Sequence, residues 1–147
     1  MINYRLDKNA VDELLRLTEG IYPLTKQIAE QICDGSHPLS PRTQVYGAFD
    51  NSNGTKSELV SIMTATYCIY FPHKDGTKAV HISGAYTRED MRGNGYASDL
   101  LKAIESDART YFLADYMCCD STEDGLYENM GFIKASHSEN RLWKPLR

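Results

Sequence analysis

Between an apolar, alternating run at residues 79–87 and an amphipathic run reaching Phe112 stand two glycines one residue apart, in Arg92-Gly93-Asn94-Gly95-Tyr96-Ala97. Alternation with a period of two predicts a strand, and apolar residues at three- and four-residue spacing predict a helix, so the segment reads strand, glycine turn, helix. Glycine permits left-handed dihedrals and lets a ligand approach where a Cβ would otherwise stand. The first turn of the following helix presents N–H groups that no backbone carbonyl takes, at the positive end of the helix dipole. A corner of this kind binds phosphate.

The other elements must pack around this unit. Residues 2–6 alternate and predict a short first strand, after which Asp7 or Asn9 caps a helix carrying Val11, Leu14 and Leu15 on one face and stopping near Gly20. Beyond the break at Tyr22-Pro23, the spacing of Ile28, Ala29 and Ile32 predicts a second helix over 24–33, closed by Asp34-Gly35. A loop with Pro38 and Pro41 follows. Strands are expected at 43–49, 58–71 and 77–87, joined by hairpin turns at 50–54 and 72–76. In the helix after the glycine turn, Ala97, Leu100, Leu101, Ile104, Ala108 and Tyr111 form the buried stripe. The apolar run at 113–119 predicts a strand covered on both faces and parallel to 77–87. A short helix over 122–130 ending at Gly131, and strands at 132–135 and 141–144, complete an α/β (α+β) chain read as one domain over residues 1–147.

Composition removes several classes of function. No apolar stretch approaches the roughly 18 residues that cross a bilayer, and the N-terminus lacks the apolar centre of a secretory signal, so a cytoplasmic protein without a membrane partner is expected. Cys33, Cys68, Cys118 and Cys119 lack C-x-x-C spacing, and His37, His73, His81 and His137 are scattered singly, which predicts free thiols and no metal site. A net charge of −4 argues against a nucleic-acid footprint and suits a cationic acceptor such as an amine. A dinucleotide fingerprint is excluded, because Ser98 fills the place of the third glycine and antiparallel hairpins precede the turn. Ser83-Gly84 likewise lacks the other glycine of a nucleophile elbow.

Two motifs in order narrow what remains. Arg92, Gly95 and Ala97 fit the pattern Arg/Gln-x-x-Gly-x-Gly/Ala, and Tyr127-Glu128-Asn129-Met130-Gly131-Phe132 follows further on. Over residues 80–146 the chain resembles the GNAT superfamily of N-acetyltransferases, whose pyrophosphate loop and late Tyr-x-x-x-Gly-Phe segment come in this order. The resemblance implies a central mixed, mostly antiparallel sheet of about seven strands with about four helices, the fourth and fifth strands splayed. It implies acetyl-CoA as co-substrate. The pantetheine arm would bond the strand backbone of Ala85, Tyr86 and Thr87, and the pyrophosphate the backbone of Gly93, Asn94, Gly95, Tyr96 and Ala97, with Arg92 as a positive neighbour. Arg88 would add to that charge, and Glu89 and Asp90 would offset it.

The implied reaction is direct acetyl transfer to a primary amine of a small molecule or peptide, with room for a homodimer. Tyr127 corresponds to the tyrosine that protonates the leaving thiolate, and a phenol with a reference pKa of about 10 keeps its proton at neutral pH. A binding module that holds acyl-CoA without turnover, as a sensor or partner subunit, is the alternative. An alkyl amine with a pKa of about 10.4 costs about 4.6 kcal/mol to deprotonate at pH 7, so a base is expected. His81, Glu89 and a water chain are its candidates. The acceptor would lie between the first two helices and the later hairpins, with Tyr22, Tyr67 and Tyr70 as aromatic candidates. Two positions depart from the family pattern. Glu89 stands where a proline is common, and Asp120 where an asparagine touches the pantetheine; a carboxylate only accepts, which leaves Ser121 as the substitute donor.

Overall fold

The structure, a computed structural model, describes residues 4–33, 43–51, 57–70, 77–120, 125–135 and 141–146. These form a six-stranded mixed sheet of β1 (Thr43–Asp50), β2 (Glu58–Tyr70), β3 (Thr77–Thr87), β4 (Tyr116–Asp120), β5 (Ile133–Lys134) and β6 (Arg141–Pro145). Their spatial order is β1-β2-β3-β4-β6-β5. Neighbours run antiparallel except β3 and β4, which are parallel because a helix carries the chain back between them. Four helices flank the sheet: α1 (Val11–Thr18), α2 (Lys26–Ile32), α3 (Tyr96–Asp107) and α4 (Leu126–Asn129).

Alternation along the strands sends side chains to two apolar layers. Leu14 and Val11 of α1 and Ala29 of α2 pack on Val45, Leu59 and Ile62 at one face. On the other, Leu100, Leu101 and Ile104 of α3 cover Met63, Val80, Ile82 and Met117, with Tyr127 and Phe132 closing the far side. The Asp7 carboxylate accepts from the Asn9 N–H at 2.9 Å and opens a 3₁₀ turn, Lys8–Ala10, that leads into α1. Thr25 accepts from the Ile28 N–H at 3.2 Å and opens α2. Each cap satisfies a helix-end donor that otherwise faces solvent.

Several elements differ from the sequence expectation. Where a first strand was expected, the described residues 4–6 make one bridge, Arg5 to Tyr46, with Leu6 donating to Val45 and Gly47 to Tyr4, before the 3₁₀ turn bends the chain away. The buried stripe of α3 does not end on Tyr111, which is 53% exposed; Phe112 is buried in its place. The cause is a π-helical turn, Ala108–Phe112, whose extra residue rotates the last side chains off the 3.6-residue register. That turn closes on Leu113 in a left-handed conformation (φ 57°), so β4 begins at Tyr116 and Leu113 points outward. Of the helix expected over 122–130, α4 occupies Leu126–Asn129, and residues 122–124 lie outside the described set.

A polar cluster sits within the core at the α3 side. Tyr46 donates to Asp107 at 2.7 Å, the Tyr46 and Tyr67 hydroxyls meet, and the Arg5 guanidinium lies 3.5 Å from Asp107. Burial pushes both phenols well above their ordinary range. Tyr67 is fully buried here, which removes it from the acceptor candidates.

Candidate active site

The site begins where the parallel pair separates. β3 and β4 pair from Ala79↔Tyr116 to Ile82↔Cys119; β4 ends at Asp120, while β3 runs on to Thr87. A bulge helps drive them apart. Ser83 faces Thr64 and Tyr86 faces Ile62, so Gly84 and Ala85 together oppose Met63, with Gly84 at φ 58°. Two residues against one bend the strand and increase its twist. The Arg88 N–H donates back to Val60 of β2, so by alternation the backbone groups of Ala85 and Thr87 face the opposite way, into the gap. Two side chains take those carbonyls. The Tyr22 hydroxyl donates to Ala85 O at 3.3 Å, and Arg92 Nε donates to Thr87 O at 3.0 Å.

A 3₁₀ turn, Glu89–Met91, then leads to the glycines. Gly93 and Gly95 both adopt φ 83°, and a Cβ added at either position would meet nothing within 4 Å. Gly95 is the N-cap of α3 and supplies no side-chain cap, so the first-turn N–H groups look into open space. The result is a cavity of about 390 Å³ between the free part of β3 and the mouth of α3. It brings together Ala85, Tyr86, Thr87, Arg92, Gly93, Gly95, Tyr96 and Ala97, as the sequence reading proposed for the coenzyme. Asn94 does not line it; its side-chain amide donates to Met91 O at 2.9 Å and braces the turn. Met91, Ser98 and Leu126 also line the cavity, and the sequence reading missed them. Ser98 in the first helical turn and Leu126 beside Tyr127 were within reach of the same motif spacing.

Charge around the cavity differs from the expectation at one position. Arg88 is not an open positive neighbour, since its guanidinium is held by Asp90 at 2.6 Å and Glu58 at 2.9 Å; these hydrogen bonds push its pKa further up. Arg92 remains at the rim, 5.9 Å above the Tyr86 ring. Attraction for an anion therefore comes from backbone N–H groups and Arg92. A diphosphate fits that donor set.

Of the remaining candidates, Tyr127, Asp120, His81 and Glu89 do not line the cavity. Tyr127 is 5% exposed and packs edge-on against Phe132 with ring centroids 5.5 Å apart; Leu126, one residue earlier, reaches the cavity wall. Asp120 is held through both oxygens by Arg141, at 2.7 and 3.2 Å, and these hydrogen bonds lower its pKa. His81 Nε2 stands 3.7 Å from the same carboxylate. Glu89 is exposed in the turn before the glycines. Ser121 and the Tyr70 side chain lie outside the described set. All four cysteines are free. Burial raises the Cys118 thiol and pushes Cys119 up to about 12, which leaves neither as a thiolate nucleophile near neutral pH.

Comparison with solved structures finds the same fold. An acetyltransferase of the GNAT family from Streptococcus pneumoniae superposes with a TM-score of 0.72 at 15% identity, covering 97% of this chain and 97% of that one. Arabidopsis thaliana NAA60 in complex with acetyl-CoA gives 0.71 at 15% identity, over 95% and 93%. A Trypanosoma brucei acetyltransferase gives 0.70 at 18% identity, over 91% and 93%. No curated protein sequence matches the chain. Residues 29–132 match the acetyltransferase (GNAT) family as a whole, a stretch that takes in the gap, the glycine turn and the Tyr127 segment, and the chain belongs to that family.

Proposed function

We propose that this protein transfers the acetyl group of acetyl-CoA to a primary amine by direct attack, without a covalent enzyme intermediate. One observation carries the reading: an uncapped helix mouth and a strand edge that has left its partner strand open into a single cavity, offering diphosphate donors and peptide-like hydrogen-bonding groups in sequence. When bound, the coenzyme supplies an activated acyl thioester. The N–H groups of Gly93, Gly95, Tyr96 and Ala97 hold its diphosphate, and the Ala85 and Thr87 backbone aligns its arm. An N–H of β3 aimed at the acyl oxygen stabilises the charge that develops there. Holding donor and amine together accounts for most of the acceleration.

Tyr127 is assigned the proton for the departing sulfur. Its place in the Tyr-x-x-x-Gly-Phe segment supports that role, and a positioned acid is worth roughly 10²- to 10⁴-fold. Peptide N-termini are favoured among amine acceptors, because NAA60 has been captured with a bisubstrate analogue and the NatC complex with a Gag peptide and CoA. The packing of Tyr127 against Phe132 favours the second reading, an acyl-CoA-binding module without turnover.

Thiol release from acetyl-CoA on mixing with alkyl amines separates the two, and Tyr127→Phe slows that release only in the enzyme. Binding is tested apart from turnover. Acetyl-CoA raises the Tm of the native chain, whereas Gly95→Trp, which fills the open space at the helix mouth, abolishes the rise. An undiminished rise in that variant would remove the cradle from the proposal.

A further inference from the structure

A second cavity, of about 280 Å³, lies on the α1 side of the sheet next to the coenzyme cradle. Glu13, Arg16 and Leu17 line it from α1, where three- and four-residue spacing puts all three on one helix face. Opposite them stand Glu58 and Leu59 of β2, Tyr86 of β3 and Arg88 just beyond it. The lining has an apolar floor, since Leu59 is buried and both Leu17 and Tyr86 pack against the same core. Its charges are only partly used. Glu13 Oε2 accepts from the Leu59 N–H at 2.8 Å, and Glu58 Oε2 accepts from Arg88 Nη1 at 2.9 Å. Among the described residues, the second oxygen of each carboxylate makes no hydrogen bond, and the exposed Arg16 guanidinium makes neither a hydrogen bond nor an ion pair. The cavity thus offers one cation, two carboxylate oxygens and an apolar surface to a single small ligand.

We propose that this cavity binds a free α-amino acid with an apolar side chain, as an effector of the coenzyme site. The ligand's carboxylate goes to Arg16, whose planar fork matches it, and its ammonium to the second oxygens of Glu13 and Glu58. Its side chain rests on Leu17, Leu59 and the Tyr86 ring. Both charges have to sit on one residue, which separates a free amino acid from either end of a peptide. The bound amine is not an acceptor: carboxylates on both sides hold it as an ammonium, which has no lone pair to attack with.

Tyr86 and Arg88 join this cavity to the cradle. Tyr86 lines both, with Arg92 5.9 Å above its ring. Arg88 is held between Glu58 and Asp90, and an ammonium arriving at Glu58 weakens that carboxylate's hold on Nη1. Arg88 then keeps Asp90 through Nε and gains freedom at Nη1 to add positive charge beside the glycine turn. Amino acid and coenzyme therefore favour each other's binding. This coupling rests on the coenzyme reading above, whereas binding of the amino acid does not.

The test is calorimetric titration of the full chain at constant ionic strength with leucine and its two singly charged analogues, isoamylamine without the carboxylate and isocaproate without the ammonium. Leucine is expected to bind at least about tenfold more tightly than either. Arg16→Gln and Glu13→Gln are each expected to weaken leucine about tenfold and to leave the affinity for acetyl-CoA alone unchanged; in the second variant the carboxamide oxygen still accepts from Leu59. Saturating leucine is expected to tighten acetyl-CoA about fivefold, and acetyl-CoA to tighten leucine by the same factor. Arg88→Gln keeps leucine binding and loses that reciprocal effect. Absence of saturable leucine binding, equal binding of leucine and either analogue, or undiminished binding in Arg16→Gln overturns the site. Leucine that binds without changing the affinity for acetyl-CoA overturns the effector role. A chain that binds leucine but no acetyl-CoA overturns the coenzyme reading and leaves the amino-acid site standing.

Discussion

Tyr46 shows how one side chain can join a core to a helix. Its ring is buried among apolar neighbours, and its hydroxyl donates to Asp107 at the last residue of α3. A partly buried carboxylate that loses a donor keeps its desolvation cost with less compensation, here from Arg5 alone among the contacts described above. Tyr46→Phe is therefore expected to destabilise the protein by about 1–3 kcal/mol, read as a lower urea midpoint at unchanged slope. Leu113 poses the opposite case. It is a non-glycine residue at φ 57° with half its surface exposed, so it holds backbone strain with little burial in return. Leu113→Gly is expected to raise stability by about 1 kcal/mol, and a fall in Tm would show that the leucine's contacts outweigh the strain.

At the level of elements, α3 is tied to β6, the next-to-last strand of the sheet, through Glu105, which accepts from Lys144 of β6 at 2.6 Å and Arg109 at 3.1 Å. Burial pushes its carboxyl up, but those two hydrogen bonds more than offset it and leave the pKa below the ordinary value. A carboxylate with a lowered folded pKa stabilises above its unfolded value, near 4.3, and the contribution fades as pH falls through the folded one. Glu105→Gln should thus be less stable than wild type at pH 7 by about 1 kcal/mol, and thermal melts should converge once pH falls through the lowered folded value. How much of these elements the sequence announced depends on what marks them locally. The bounds of β3 were legible because turn residues and alternation bracket it, and the open mouth of α3 was legible because glycine stands at the helix start, where it brings no capping side chain. The π-helical turn was not, since Tyr111 and Phe112 are adjacent aromatics and a regular period puts the wrong one inside. Nor was the meeting of His81, Asp120 and Arg141, because it depends on β6 inserting between β4 and β5, which no local pattern encodes.

Across the whole molecule, α1 and α2 cover one face of the sheet and α3 the other, and β3 runs on past its last pair with β4. Coenzyme held at 100 times its Kd would stabilise the fold by about 2.7 kcal/mol through mass action alone. The Tyr22 hydroxyl belongs to the segment joining α1 and α2, yet it rests on Ala85, a carbonyl that the coenzyme arm would also use in the function proposed above. Loading the donor should then evict Tyr22 and free the connector it anchors, so that the entrance for the second substrate loosens only once the first is seated. Faster amide exchange at residues 19–25 on adding coenzyme, together with tighter coenzyme binding by Tyr22→Phe, would be the trace of that order of events; a connector indifferent to coenzyme would mean that the two substrates enter independently.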